Sequence, residues 1–263
     1  MAFAVNDGVR LFWRERGSGA PLLMIQGLGY PSDMWHHVEP CLAEHFRLIL
    51  FDNRGVGRSD VPEGVYPLEV MAADAAAVLD AAGVEKAHVM GISMGGYIAQ
   101  EFALRYPDRV RGLVLGCTSC GGEQAVPASQ EVLDLVAARA HMSPEEGIRV
   151  LVPYIYSAYT PQEVIEADLA IRLRTYPDPK GYLGQLQGIY RWSSYERLGE
   201  IQAPTLILHG REDRLVPPEN ARILAEAIPT ARLELLDRAS HIFFSDRPQR
   251  TCELVATFLQ EVG

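Results

Sequence analysis

A serine flanked by glycines, Gly91-Ile92-Ser93-Met94-Gly95 with Gly96 following, is the strongest chemical signal in the chain. It lies between an apolar run that reads as a strand and a stretch that reads as a helix. Such a turn pushes the serine out beyond the sheet edge, and glycines two before and two after it keep Cβ atoms from colliding. The helix that follows aims its first amides at the hydroxyl, which favours developing negative charge. A serine hydroxyl alone is a weak nucleophile, so a base is needed, and a histidine base needs a carboxylate to fix its tautomer. Asp213, in His209-Gly210-Arg211-Glu212-Asp213-Arg214, and His241, in Arg238-Ala239-Ser240-His241, each follow a strand-like run. Residues at the carboxyl ends of several strands converge in an open α/β sheet. The set could perform acyl transfer, with Ser93 as nucleophile, His241 as base and Asp213 as orienting acid. Plainer readings compete at this point: an incidental serine in a glycine-rich turn, a solvated loop aspartate, and six other histidines.

These residues need a frame. Phe3 to Asn6 and Leu11 to Glu15 flank Asn6-Asp7-Gly8 and read as a hairpin. Strand-like runs follow at Pro21 to Gln26, Arg47 to Asp52, Lys86 to Ile92 and Val110 to Gly116. Continuous apolar runs of this kind suit strands covered on both faces. Helical stretches alternate with them at Pro31 to Glu44, Pro67 to Ala82 and Met94 to Arg105. The alternation predicts an α/β fold with a mostly parallel central sheet flanked by helices. The rhythm breaks after Gly121-Gly122. Residues 123–200 read as helices and turns rich in tyrosine, an all-helical insertion between a first core part, 1–122, and a second, 201–263. In the second part Thr205 to His209 and Arg232 to Leu236 read as strands. Pro217 to Ile228 and Arg247 to Val262 read as helices.

Three further stretches accompany the serine turn in order: Gln26-Gly27-Leu28-Gly29, Asp52-Asn53-Arg54-Gly55-Val56-Gly57-Arg58-Ser59-Asp60, and Tyr106-Pro107-Asp108-Arg109-Val110. With them the chain resembles the α/β-hydrolase family over nearly its whole length, and most of all its small bacterial esterases, enol-lactone hydrolases and cofactor-free haloperoxidases. The resemblance implies the α/β-hydrolase fold, with the insertion as its cap. It also implies the nucleophile–acid–base order Ser93, Asp213, His241, and an oxyanion hole made by the Leu28 and Met94 amides. Gln26 departs from the family's usual histidine, and Ala239-Ser240 from its usual glycine-containing approach to the last histidine. The other placement of the acid, after the strand ending near Gly116, falls on Cys117-Thr118-Ser119, where no carboxylate is available.

The implied activity is hydrolysis of a carboxylic ester or lactone through an acyl-enzyme, with no cofactor and no metal. Perhydrolysis or haloperoxidation and carbon–carbon bond hydrolysis are rivals on the same triad, and a ligand receptor that retains a hydrolase site is a rival of another class. Tyr154, Tyr190 and Trp192 are candidate pocket residues. Arg139, Arg149, Arg172, Arg174 and Arg191 also lie in the insertion, with surface solvation their commoner fate. His36 and His37, read as neighbours on a helix, would point different ways, which argues against a metal clasp. Cys117-Thr118-Ser119-Cys120 lacks further zinc ligands, since Cys41 and Cys252 stand isolated.

The 263 residues carry 24 basic and 34 acidic side chains, a formal charge of −10, which disfavours nucleic acid and anionic lipid as partners. No apolar run reaches membrane-spanning length. The opening MAFAVNDGVRLFWRERG lacks the basic-then-apolar order of a secretory signal. We therefore expect a cytoplasmic protein with reduced thiols and a small-molecule ester or lactone as its partner; self-association stays open.

Overall fold

Strands without polar alternation must be covered on both sides, and the sheet meets that requirement. The computed structural model describes residues 2–263. Its eight strands are β1 (Ala2–Asn6), β2 (Val9–Arg16), β3 (Ala20–Ile25), β4 (Phe46–Phe51), β5 (Ala87–Ile92), β6 (Val110–Gly116), β7 (Thr205–Gly210) and β8 (Ala231–Leu236). They lie in the order β1-β2-β4-β3-β5-β6-β7-β8. The β1–β2 hairpin and the β2–β4 pair are antiparallel, and every other pairing is parallel. Leu23, Ile49, Val89 and Leu113 face one buried core, with the helices Leu68–Ala81, Met94–Arg105 and Glu219–Ala227. Leu22, Leu48, Met90 and Val114, one residue out of phase, face a second core under the closing helix Pro248–Val262. The two-residue period of a strand divides each run between the two cores. This is the α/β-hydrolase fold.

Strand order reverses between β3 and β5. The chain goes out to β4 on one side of β3, then returns to β5 on the other. The crevice beyond the carboxyl ends of those two strands is where ligands bind in open α/β sheets. The loop Gln26-Gly27-Leu28 leaves one of them and Ser93 leaves the other.

After Gly116 the chain leaves the sheet and re-enters it at Thr205. Between these points run the helices Gln130–Ala138, Pro144–Arg149, Val152–Ile155, Gln162–Arg174 and Pro179–Tyr190. A bridge between Gly121 and Ser193, and the Ser194 amide donating to the Cys120 carbonyl at 2.9 Å, hold the two ends of this excursion together.

Two expectations are corrected. Pro31 to Glu44 is not one helix but a 3-10 turn, Ser32–Trp35, and a single α-turn, Glu39–Leu42, separated by His36 to Val38. Cys41 and Cys252 are not isolated. The structure brings their sulfurs together across 211 residues of sequence, because the short Glu39–Leu42 helix packs against the closing helix. Cys117 and Cys120 are buried free thiols. Among the described residues no helix is long and apolar enough to cross a membrane.

Candidate active site

Ser93 sits at φ 52°, ψ −124°, between β5 and the helix Met94–Arg105. A non-glycine residue there costs about 1–3 kcal/mol, so the surroundings must impose it. They do so through three hydrogen bonds. The Ser93 amide donates to the Gly116 carbonyl at 2.8 Å, and the Ser93 carbonyl accepts from the Gly96 amide at 2.9 Å and the Thr118 hydroxyl at 2.8 Å. The glycines are sterically required. A methyl on Gly91 would collide with the Gly95 carbonyl, and one on Gly95 with the carbonyls of Ile25 and Gln26.

The three residues singled out for acyl transfer, 148 and 28 positions apart along the chain, form one relay. His241 Nε2 lies 3.1 Å from Ser93 Oγ, and His241 Nδ1 lies 2.8 Å from Asp213 Oδ2. Asp213 is held from both ends. Its Oδ1 accepts the Leu215 and Val216 amides at 2.9 Å each. Its Oδ2 also faces His209 Nε2 at 3.2 Å. His209 Nε2 lies 2.8 Å from the Val216 carbonyl, which can only accept, so that nitrogen carries the proton. Burial alone would raise the Asp213 carboxyl. The neighbouring charge of His241 and hydrogen bonds from His209 and His241 outweigh it and hold the group down at about 2. His209 thus steadies the acid; its place four residues before Asp213 was the only hint of this in the sequence.

The His241 loop has its own anchor. Asp246 Oδ2 accepts the Ser240 amide at 2.7 Å, and Oδ1 accepts the Thr160 hydroxyl at 2.5 Å. Burial pushes this carboxyl up to about 6 against the pull of the Thr160 hydroxyl and of the Ser240 and Ser157 amides.

Across from Ser93, Gly27 packs so closely that a Cβ there would lie 3.1 Å from Ser93 Cβ. Among the described residues neither the Leu28 amide beside it nor the Met94 amide has an acceptor. Both are available to an anionic oxygen. Gln26 is fully buried; its Oε1 accepts the Gly27 amide at 3.2 Å, and its carbonyl accepts Asn53 Nδ2 at 3.0 Å. Gln185, from the helix Pro179–Tyr190, is also fully buried. It accepts the Gly29 amide at 2.9 Å and donates to the Arg54 carbonyl at 2.8 Å. Nothing in the local pattern around Gln185 signals this role.

The three aromatic candidates have different surroundings. Trp192 is buried against Tyr97 and donates to buried Glu101 at 2.8 Å. Tyr154 donates to Glu131, and Tyr190 is 77% exposed. Arg172 is not solvated at the surface as expected: it is 5% exposed and stacks on Tyr30 at 4.8 Å. His36 and His37 do not point different ways. They leave the end of a 3-10 turn rather than a helix, their ring centroids are 3.8 Å apart, and both face Asp168.

Comparison with known proteins is consistent as to the family, while the named reactions differ: a putative carbamate hydrolase from Azorhizobium caulinodans is 32% identical over 265 residues, covering all of this chain and 99% of its own. Residues 20–145 and 169–248 match the family model described as the alpha/beta hydrolase fold. A poly(3-hydroxyalkanoate) depolymerase from Ectopseudomonas oleovorans is 34% identical over 243 residues, covering 92% of this chain and 84% of its own. A thermophilic esterase from Thermogutta terrifontis superposes with a TM-score of 0.86 at 29% identity, over 99% of this chain and 98% of its own. The enol-lactonase from Burkholderia xenovorans LB400 does so with a TM-score of 0.88 at 26% identity, over 98% of this chain and all of its own.

Proposed function

The chain belongs to the alpha/beta hydrolase fold family, and from that premise we propose that it is a serine hydrolase of carboxylic esters or lactones. Ser93 Oγ attacks the acyl carbon while His241 Nε2 takes its proton. Asp213 keeps the His241 Nδ1 proton in place and balances the imidazolium charge. The carbonyl oxygen, now an anion, is held by the Leu28 and Met94 amides; losing one such donor typically costs roughly 3–4 kcal/mol. The tetrahedral intermediate collapses, His241 gives its proton to the departing alkoxide, and the acyl group stays on Ser93. Water activated by His241 then releases the acid. In a lactone the departing alcohol is the other end of the same molecule.

The observation that carries the reading is the unbroken relay of 3.1 Å and 2.8 Å from Ser93 through His241 to Asp213. The depolymerase, esterase and enol-lactonase likenesses support the choice of bond, since each name denotes cleavage of an acyl–oxygen bond. The test is a fluorophosphonate label mapped by mass spectrometry, followed by turnover of nitrophenyl esters of graded acyl length. A single adduct on Ser93, and a Ser93→Ala variant with no turnover above background, are expected. A variant that hydrolyses the esters at the parental rate overturns the assignment. A single slow turnover that leaves a lasting adduct would instead mark a receptor.

A further inference from the structure

We propose that His36, His37 and Asp168 bind one divalent transition cation of the zinc class, tying the helical excursion to the loop between β3 and β4. Asp168 lies on the helix Gln162–Arg174 and is fully buried, 132 residues from His36. Its Oδ1 lies 2.6 Å from His36 Nε2 and 3.2 Å from His37 Nε2, and the three atoms are all within 4.8 Å of one another. Zinc bonds of about 2.0–2.1 Å in a tetrahedron imply ligand–ligand edges of roughly 3.3 Å, so small side-chain adjustments admit the ion.

Hydrogen bonding alone leaves this cluster unfinished. His37 Nε2 is buried and, despite its closeness to Asp168, makes no aligned hydrogen bond. Two imidazoles whose centroids are 3.8 Å apart would repel if both were protonated. A cation between the three groups uses the lone pairs of two neutral imidazoles and the charge of the carboxylate at once. Among the described residues no arginine competes for the carboxylate. Arg172, one turn along the same helix, stacks on Tyr30, and no ion pair joins it to Asp168 among the described residues. The Tyr156 hydroxyl donates to Asp168 Oδ2 at 2.9 Å, which leaves Oδ1 pointing at the histidines. A hydrogen-bonded carboxylate of this kind is how metal ligands are oriented.

Two nitrogens and one oxygen favour zinc, cobalt or nickel over magnesium or calcium, which prefer all-oxygen sets. The histidine side chains are 31% and 20% exposed, so the ion can enter and water can complete its coordination. The cluster shares no residue with Ser93, His241 or Asp213. The cation is therefore a clasp between core and helical segment and takes no part in acyl transfer.

The test is calorimetric titration of the chelator-treated protein with zinc, repeated with cobalt to read the visible absorption of its bound form. We expect one equivalent bound, a melting temperature that rises with zinc concentration, and a cobalt spectrum typical of nitrogen and oxygen ligands. In His36→Gln and His37→Gln, both at partly exposed positions, affinity falls by about a hundredfold or more. Asp168→Asn does the same if it folds, and the histidine variants carry the test if it does not. No saturable binding up to millimolar zinc overturns the proposal, as does equal affinity in the histidine variants.

Discussion

Asp213→Asn is the substitution that most sharply tests how the relay works. In the parent, Oδ1 accepts two amides, from Leu215 and Val216, while Oδ2 faces His241 Nδ1 and His209 Nε2. An asparagine must keep its oxygen at the Oδ1 position, because an NH2 there would oppose two N–H donors. Its NH2 then takes the Oδ2 position. His209 cannot yield, since its Nε2 proton is committed to the Val216 carbonyl. His241 must therefore accept at Nδ1 and carry its proton on Nε2, directed at the Ser93 hydroxyl it should deprotonate. A wrong tautomer of this kind lowers kcat about 10⁴-fold in the serine triad studied in most detail, or roughly 5.5 kcal/mol of barrier.

Stability gives a second, independent magnitude for the same substitution. The Asp213 carboxyl is held at about 2 in the fold against an ordinary 3.8. A depressed carboxyl stabilises the fold above its unfolded value and loses that contribution as pH falls from about 4 toward 2. The gap is worth about 2 kcal/mol at neutral pH, so Asp213→Asn should melt roughly 4–8 °C lower. It should also lose that part of the parent's acid sensitivity. The assay is kcat on a short-chain nitrophenyl ester beside a thermal melt, both at pH 7. A variant that melts as expected but keeps kcat within tenfold of the parent would refute the tautomer argument.

Other perturbations probe the supports of the site. Gly95→Ala drives a methyl into the backbone carbonyls of Ile25 and Gln26, and should cost about 3 kcal/mol or more in a denaturant titration; a loss under 1 kcal/mol would mean the turn is not sterically locked. Gln185→Leu orphans the Gly29 amide and the Arg54 carbonyl and loosens the loop that carries Leu28. We expect kcat to fall about tenfold with KM nearly unchanged, and a change confined to KM would contradict a positioning role. Asp246 holds its proton up to about 6 in the fold but only to 3.8 in an ordinary setting. The folded state is then the stronger proton binder between these values, so stability should decline as pH rises from about 4 to 6, by at most about 3 kcal/mol. Asp246→Asn should flatten that slope in melts taken across the range; an unchanged slope would assign it to another group.

What could be read from the chain and what could not divides along a physical line. Gly91, Ser93 and Gly95 were readable because their constraint is local: adjacent backbone leaves no room for a Cβ, whatever the rest of the fold does. The strand runs were readable because continuous burial on both faces demands unbroken apolar sequence. His36 and His37 were misread because neighbours diverge on a helix, and this segment is a 3-10 turn that ends at Trp35. Trp192 shows the limit on aromatic residues. Its indole meets Glu101, 91 residues away, a contact that no local periodicity encodes.

Several of the unread contacts share one feature: they join the helical excursion to the α/β core. Gln185 reaches the Gly29 amide, Asp168 reaches His36 and His37, and Thr160 reaches the carboxylate that anchors Ser240. Each is a polar contact, buried or partly so, between segments remote in sequence, and each ends beside Leu28, on the carboxylate that accepts the Ser240 amide, or on the clasp. The excursion is therefore tied to the loops around the proposed site. It supplies the hydrogen bonds that hold the Leu28 loop and the His241 loop in register with Ser93. Because a relay works only when its atoms stay within a few tenths of an ångström, loosening the excursion should slow acyl transfer without touching a reacting group. Variants of Gln185 and of Asp246 should thus lower kcat by more than their cost in stability would suggest. If they lower stability alone, the sheet positions the site unaided.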